Sequence, residues 1–230
     1  MSKDHYGTKM PGVDYSSLQG TLIVIEGPDC SGRSSHIHIL KEWLEASGYA
    51  VLNTGLKRSV LISSMISKAK TGNILGKKTL SLMYATDFAD QLENKIIPAL
   101  RAGYVVLADR YIFTLMARDL VRGADKEWLR QLFSFALKPD LIFYMDVDSQ
   151  TLLHRAFQKY GKLDYWESGM DLSLSNDIFE SYTVYNNLLR NEYRKLTDEY
   201  GFIVVDATEK FDITQKIFIK DISEHLSNRT

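Results

Sequence analysis

Apolar positions along the chain follow two periods. Five short runs are almost continuously apolar: residues 21–26, 49–53, 104–108, 141–145 and 202–205. Each has strand length, and polar turns bound each one. Between them, apolar residues recur every third or fourth position. Ile37, Leu40, Trp43 and Leu44 mark a helix over about 33–47, ended near Gly48. Residues 60–70 repeat the pattern, and Gly72 and Gly76 then mark a break. Leu80, Met83, Tyr84, Phe88, Leu92 and Ile96 form one stripe on a helix over about 77–101, kinked or broken near Pro98. Helical stretches continue to Leu137, and further helices fall at about 149–159, 176–200 and 214–226. Strands that alternate with helices predict an α/β fold, with a parallel sheet covered by helices on both faces. The run Tyr104–Ala108 is apolar throughout, as a strand buried on both faces must be.

Two stretches have no period. Residues 1–19 read as a mobile tail or a loosely docked arm, which leaves 20–230 as a single domain. Residues 160–174 contain Gly161, Gly169, Trp166 and several charges, and read as a mobile lid opening at about 159.

Composition narrows the function. The chain of 230 residues is 45% hydrophobic and 25% charged, ordinary for a globular protein. A net charge of -1 provides no field to recruit nucleic acid, yet a small anionic substrate held by a few local cations is compatible with it. One cysteine, Cys30, excludes an intramolecular disulfide. The longest apolar runs are far short of a membrane span, and the first 20 residues lack the apolar core of a signal peptide. A cytoplasmic location is the expectation. His36 and His38 lie two apart on a helix and face different ways, so no metal other than magnesium is expected there.

The chemistry concentrates after the first strand. Gly27-Pro28-Asp29-Cys30-Ser31-Gly32-Arg33-Ser34-Ser35 joins a strand to a helix. Its spacing is Gly, four residues, Gly, a cation and a hydroxyl, the arrangement of a phosphate loop. Turn amides make an anion nest, and the helix N-terminus adds unpaired N–H groups. Ser34 can place its oxygen on magnesium. Arg33 stands where the usual pattern has Lys, a planar fork in place of a point charge. A thiol in such a nest is expected to have a depressed pKa, so Cys30 reads either as a small residue tolerated in the turn or as a candidate for oxidation that blocks ATP. Lys57 and Arg58 follow the second strand, at the sheet end where open α/β folds bind ligands. Asp109 and Arg110 follow the third. A carboxylate there suits a magnesium ion, and Arg110 suits an acceptor's phosphate, while an internal Asp–Arg pair is the bland alternative.

These motifs together resemble thymidylate kinases: Ile25-Glu26-Gly27 with Asp29 and the phosphate loop, Asp109-Arg110-Tyr111, and Pro139-Asp140-Leu141 leading to Asp146-Val147. The resemblance covers roughly residues 20–226. It implies the nucleoside-monophosphate kinase fold, a phosphate-loop three-layer α/β/α architecture with strand order 2-3-1-4-5. It implies ATP as donor, magnesium, a nucleoside monophosphate as acceptor, and commonly a homodimer. By position, Arg33 and Ser34 would serve the ATP phosphates and the metal, and Asp29 would lie near the acceptor sugar. Asp109 would act on the metal or the attacking phosphate, and Arg110 on the acceptor phosphate. Tyr84 falls where the family stacks a ring on thymine. Arg155 and the lid would approach the donor phosphates.

This chain departs from the family pattern at several points. The family Lys is Arg33, and the Gly after Asp29 is Cys30. The family's Thr-Arg-Glu-Pro-Gly becomes Thr54-Gly55-Leu56-Lys57-Arg58, so its phosphate-binding Arg is displaced or lost. Phe88 replaces an Arg that contacts the base, Arg118-Asp119 replaces a Tyr–Gln pair, and Asp164-Tyr165 replaces Asp-Arg in the lid. Phe88, Arg118 and Asp119 are thus the candidate specificity positions. Two readings stand. One is a magnesium-dependent kinase acting on thymidine monophosphate or another phosphorylated acceptor. The other is a nucleotide-binding sensor or partner subunit that has lost efficient transfer.

Overall fold

The computed structural model describes residues 3–72 and 76–228. Five strands build one parallel sheet: β1 Thr21–Glu26, β2 Val51–Gly55, β3 Val105–Asp109, β4 Leu141–Asp146 and β5 Ile203–Asp206. Their order is β2-β3-β1-β4-β5, with helices around the sheet, as the resemblance implies. β1 is buried at every position and β3 at all but its last, which accounts for their unbroken apolar sequence.

The chain divides into two compact units, and neither is continuous in sequence. The first comprises Met1–Ile25 and Lys41–Asp140, and the second Glu26–Leu40 and Leu141–Thr230.

In the first unit β3 pairs with both β1 and β2, and Asp109 stands opposite Ile25 on one side and Gly55 on the other. The second strand runs two residues later than its sequence pattern suggests. Tyr49 still donates its N–H to Leu44 O, closing the turn after α1 (Arg33–Ala46). The break expected over Gly72–Gly76 falls in part on residues 73–75, outside the described residues. α2 is Ser63–Gly72 and α3 is Lys77–Gln91. The kink expected near Pro98 is a wide π turn over Leu92–Ile96, after which α4 (Ile97–Arg101) carries the proline in its first turn. α5 (Ile112–Val121) and α6 (Lys126–Leu132) complete this unit.

Of the two readings of residues 1–19, a mobile tail or a docked arm, the described part follows the arm. Tyr6 and Thr8 donate backbone N–H groups to Ala136 O and Ser134 O, both at 3.1 Å, and Lys138 donates back to Asp4 O at 2.8 Å. Lys3 pairs with Asp140, whose Oδ2 also accepts the Leu22 N–H at 2.7 Å. Tyr15 and Leu18 are buried. The segment lacks periodicity because single backbone and ionic contacts hold it, and these leave no repeat in a sequence.

In the second unit β4 pairs with β5, and α7 (Ser149–Tyr160), α8 (Ile178–Tyr200) and α9 (Phe211–Ser227) complete it. Among the described residues, no helix is long and apolar enough to cross a membrane.

Candidate active site

The second unit carries the phosphate loop. It leaves β1 at Gly27, whose φ of 148° favours glycine, and where a Cβ would lie 3.1 Å from Met145 O. Cys30 and Gly32 follow with φ of 65° and 97°. Left-handed residues within such a turn bring amides together as an anion nest, and α1 begins at Arg33. The Arg33 side chain folds back into the turn. Its Nη1 donates to Gly27 O at 2.5 Å, to Pro28 O, and to Ser31 Oγ at 3.2 Å. The Arg33 side chain is buried, and all three contacts run from the one nitrogen Nη1. Ser34 and Ser35 lie exposed on the first turn of α1.

Cys30 corrects the expectation of a depressed pKa. Burial raises its thiol above the ordinary value, and the Asp29 and Glu167 carboxylates raise it further against Lys159 and Arg33. The thiol is therefore less reactive than one governed by the nest alone. Arg155, expected at the donor phosphates, donates from Nη2 to Ala207 O at 2.9 Å, on the turn after β5. The lid segment folds as short turns. It is tied to α8 where Ser181 Oγ donates to Ser168 O at 2.7 Å.

The first unit carries a small cleft lined by residues that include Thr54, Gly55, Phe88, Gln91, Arg110 and Tyr111. Arg110 has a φ of 72°, a strained backbone at the end of a buried strand. Arg58 is not lost. Its Nη2 lies 3.8 Å from Asp109 Oδ2, and its Nη1 donates to Asn53 Oδ1 at 2.8 Å. Gly55 makes this approach: a Cβ there would stand 2.6 Å from Asp109 O and 3.4 Å from Arg58 Cζ. Two arginines thus accompany Asp109 at the carboxyl end of β3.

Phe88 lines the cleft but belongs mainly to the core. It is 3% exposed and meets Tyr111 edge-on at 4.9 Å, with Phe133 and Phe135 behind. Tyr84 is buried on the same face of α3, outside the cleft lining. Arg118 and Asp119 stand at the end of α5, also outside that lining. Burial raises the Asp119 carboxyl above its usual range, against a Ser81 hydrogen bond and the Arg122 and Arg118 charges.

Sequence reasoning missed a polar network on α3. Asp87 is fully buried, accepts the N–H groups of Lys57 and Ser59, and is joined to Thr54 through Gln91. Its signal was present: Asp87 and Gln91 sit inside the apolar stripe of Tyr84, Phe88 and Leu92, and a carboxylate there needs partners.

Ser34 in the second unit carries a hydroxyl and Asp109 in the first a carboxylate, each an oxygen donor of the kind magnesium takes alongside water and substrate phosphate. Among the described residues, no three His, Cys, Asp or Glu side chains gather as a protein-only metal site.

The sequence profile for thymidylate kinase matches residues 25–217. The probable thymidylate kinase 2 of Saccharolobus solfataricus is 36% identical over 212 residues, covering 92% of this chain and 99% of that protein. The probable thymidylate kinase of Staphylothermus marinus is 30% identical over 217 residues, covering 92% and 98%. The thymidylate kinase of Brachyspira hyodysenteriae is 34% identical over 171 residues, covering 72% and 82%. A match over most of the chain, on a sheet of this order and a phosphate loop in this place, makes the chain a member of the thymidylate kinase family and a phosphotransferase.

Proposed function

We propose that this enzyme transfers the γ-phosphoryl group of ATP to thymidine monophosphate. The observation that carries the acceptor half is the pair of arginines, Arg58 and Arg110, gathered with Asp109 beside the cleft. Phosphoryl transfer asks the protein for positioning and charge neutralisation rather than covalent chemistry. Arg58 and Arg110 hold the acceptor phosphate, and Asp109 accepts a hydrogen bond from metal-bound water. Asp29 serves the sugar, and Tyr84 and Phe88 the base side. The amides of residues 27–35 and the first turn of α1 cradle the donor phosphates. On the donor side Ser34 would hold magnesium, which would supply neutralisation of phosphate charge. Arg155 serves the donor side from its seat on the turn after β5. Closure of residues 159–174 excludes water, which protects ATP from hydrolysis. The cytoplasm and a homodimer complete the proposal.

A second reading, nucleotide binding without efficient transfer, draws on one observation: Arg33 turns Nη1 onto Gly27 O, Pro28 O and Ser31 Oγ of its own loop. In this reading the guanidinium supports the loop and does not follow the moving phosphate.

The test is ADP formation from ATP and magnesium with each common nucleoside monophosphate. Turnover with thymidine monophosphate is expected. Turnover with a different monophosphate alone replaces the acceptor. ATP binding with no turnover on any of them replaces the kinase by the second reading.

A further inference from the structure

The loop after β2 must bring a guanidinium to Asp109, and it has no regular structure of its own. It is held from α3. Asp87, 0% exposed, uses both carboxylate oxygens on this loop: Oδ2 accepts the Lys57 N–H at 2.8 Å and Oδ1 the Ser59 N–H at 3.0 Å. Those two amides flank Arg58. Gln91 Nε2 donates to Asp87 Oδ2 at 2.9 Å, and its Oε1 accepts the Thr54 hydroxyl at 2.8 Å, which fixes the carboxylate against the end of β2. Lys57 is held at φ 59°, a conformation a lysine adopts only when its surroundings impose it. Ser59 is 1% exposed, and its hydroxyl accepts the Leu61 and Ile62 N–H groups at 3.1 and 3.3 Å, so the clamp leads into α2. Lys95 Nζ closes the other side on Arg58 O at 2.7 Å.

We propose that Asp87 is a positioning residue for acceptor recognition. One buried carboxylate grips the amides on both sides of Arg58 and so sets where that guanidinium meets the acceptor's phosphate. The inference rests on the acceptor role proposed above for Arg58. A carboxylate accepts both N–H groups at once, whereas the isosteric amide of Asn turns a donor toward one of them. The effect is therefore specific. Loss of the clamp weakens acceptor binding through Arg58 and leaves the ATP side alone.

The experiment uses the full-length enzyme with Asp87→Asn, the milder Thr54→Val, Arg58→Ala and the Asp87→Asn/Arg58→Ala pair. KM for thymidine monophosphate and for ATP are measured, together with amide hydrogen exchange at Lys57 and Ser59. Asp87→Asn should raise the acceptor KM about tenfold or more, as a lost charge-assisted hydrogen bond does, with ATP KM within about twofold. Thr54→Val should move the acceptor KM in the same direction by less. Added to Arg58→Ala, Asp87→Asn should cost less than about twofold more, because the two act as one unit. Equal losses in both KM values, or full additivity in the pair, would overturn the proposal. If Asp87→Asn does not fold, Thr54→Val decides by the same criteria. If the wild-type enzyme turns over no nucleoside monophosphate, the acceptor reading fails on its own. Exchange then decides: faster exchange confined to the Lys57 and Ser59 amides supports the clamp, and unchanged exchange overturns it.

Discussion

Single residues in the phosphate loop behave differently from what their types suggest. Arg33 is a phosphate cation by sequence, and in the structure it also cross-links three acceptors of its own loop. Cys30 shows the opposite. The nest and helix end suggest an acidic thiol, but burial and two neighbouring carboxylates decide the sign. His36, one turn into α1, stacks on Phe211 at 4.0 Å with planes 4° apart, and its Nδ1 lies 2.6 Å from Gln215 Oε1. Burial lowers its pKa against the pull of that hydrogen bond. The unfolded chain then binds more protons than the fold below the ordinary histidine value of about 6.5. Stability is full above that pH and declines as pH falls from it toward the lower folded-state value. Calorimetry across this window should show the melting temperature falling with pH, and His36→Gln should flatten that part of the curve.

Elements place the acceptor side. β2 and β3 approach closely because Gly55 has no side chain, and Gly55→Ala would push a methyl against Asp109 O. The expected loss is about 1–3 kcal/mol in urea unfolding, the usual cost of overpacking. Turnover should fall as well, because Arg58 and Asp109 move with the strands. α3 does two jobs with one face. Its aromatic positions join the core, and Asp87 and Gln91 on that same face hold the loop that carries Arg58. The stripe was legible in the sequence as a core face. The clamp was not, because its partners lie 28 to 37 residues away along the chain. Phe88 illustrates the same gap. Its replacement of a base-contacting Arg reads as a specificity change, while its ring is locked among Tyr111, Phe133 and Phe135.

At the scale of the whole molecule, the absence of periodicity left residues 1–19 open between a tail and a docked arm, and the described part pairs with residues 134–138 and supplies Lys3 to Asp140. Removing the chain before Met10 deletes three backbone hydrogen bonds and the Lys3 partner of Asp140. At about 1 kcal/mol net per hydrogen bond, and about 2–4 °C per kcal/mol at this chain length, the melting temperature should fall by about 6–12 °C. Thermal unfolding of the truncated protein checks this, and an unchanged melting temperature would mean that the arm adds nothing to the fold.

The sequence by itself determined the strand and helix succession, the family and the phosphate loop. All three rest on short-range patterns: alternating periods, glycine at positions of unusual φ, and a fixed spacing of cation and hydroxyl. Only the tertiary structure decided where Arg58 goes, what Asp87 holds, how the arm docks and which way the Cys30 pKa moves. Each of those depends on groups distant in the chain and on burial, and neither a hydrogen-bond partner dozens of residues away nor the loss of water around a side chain is written in local sequence.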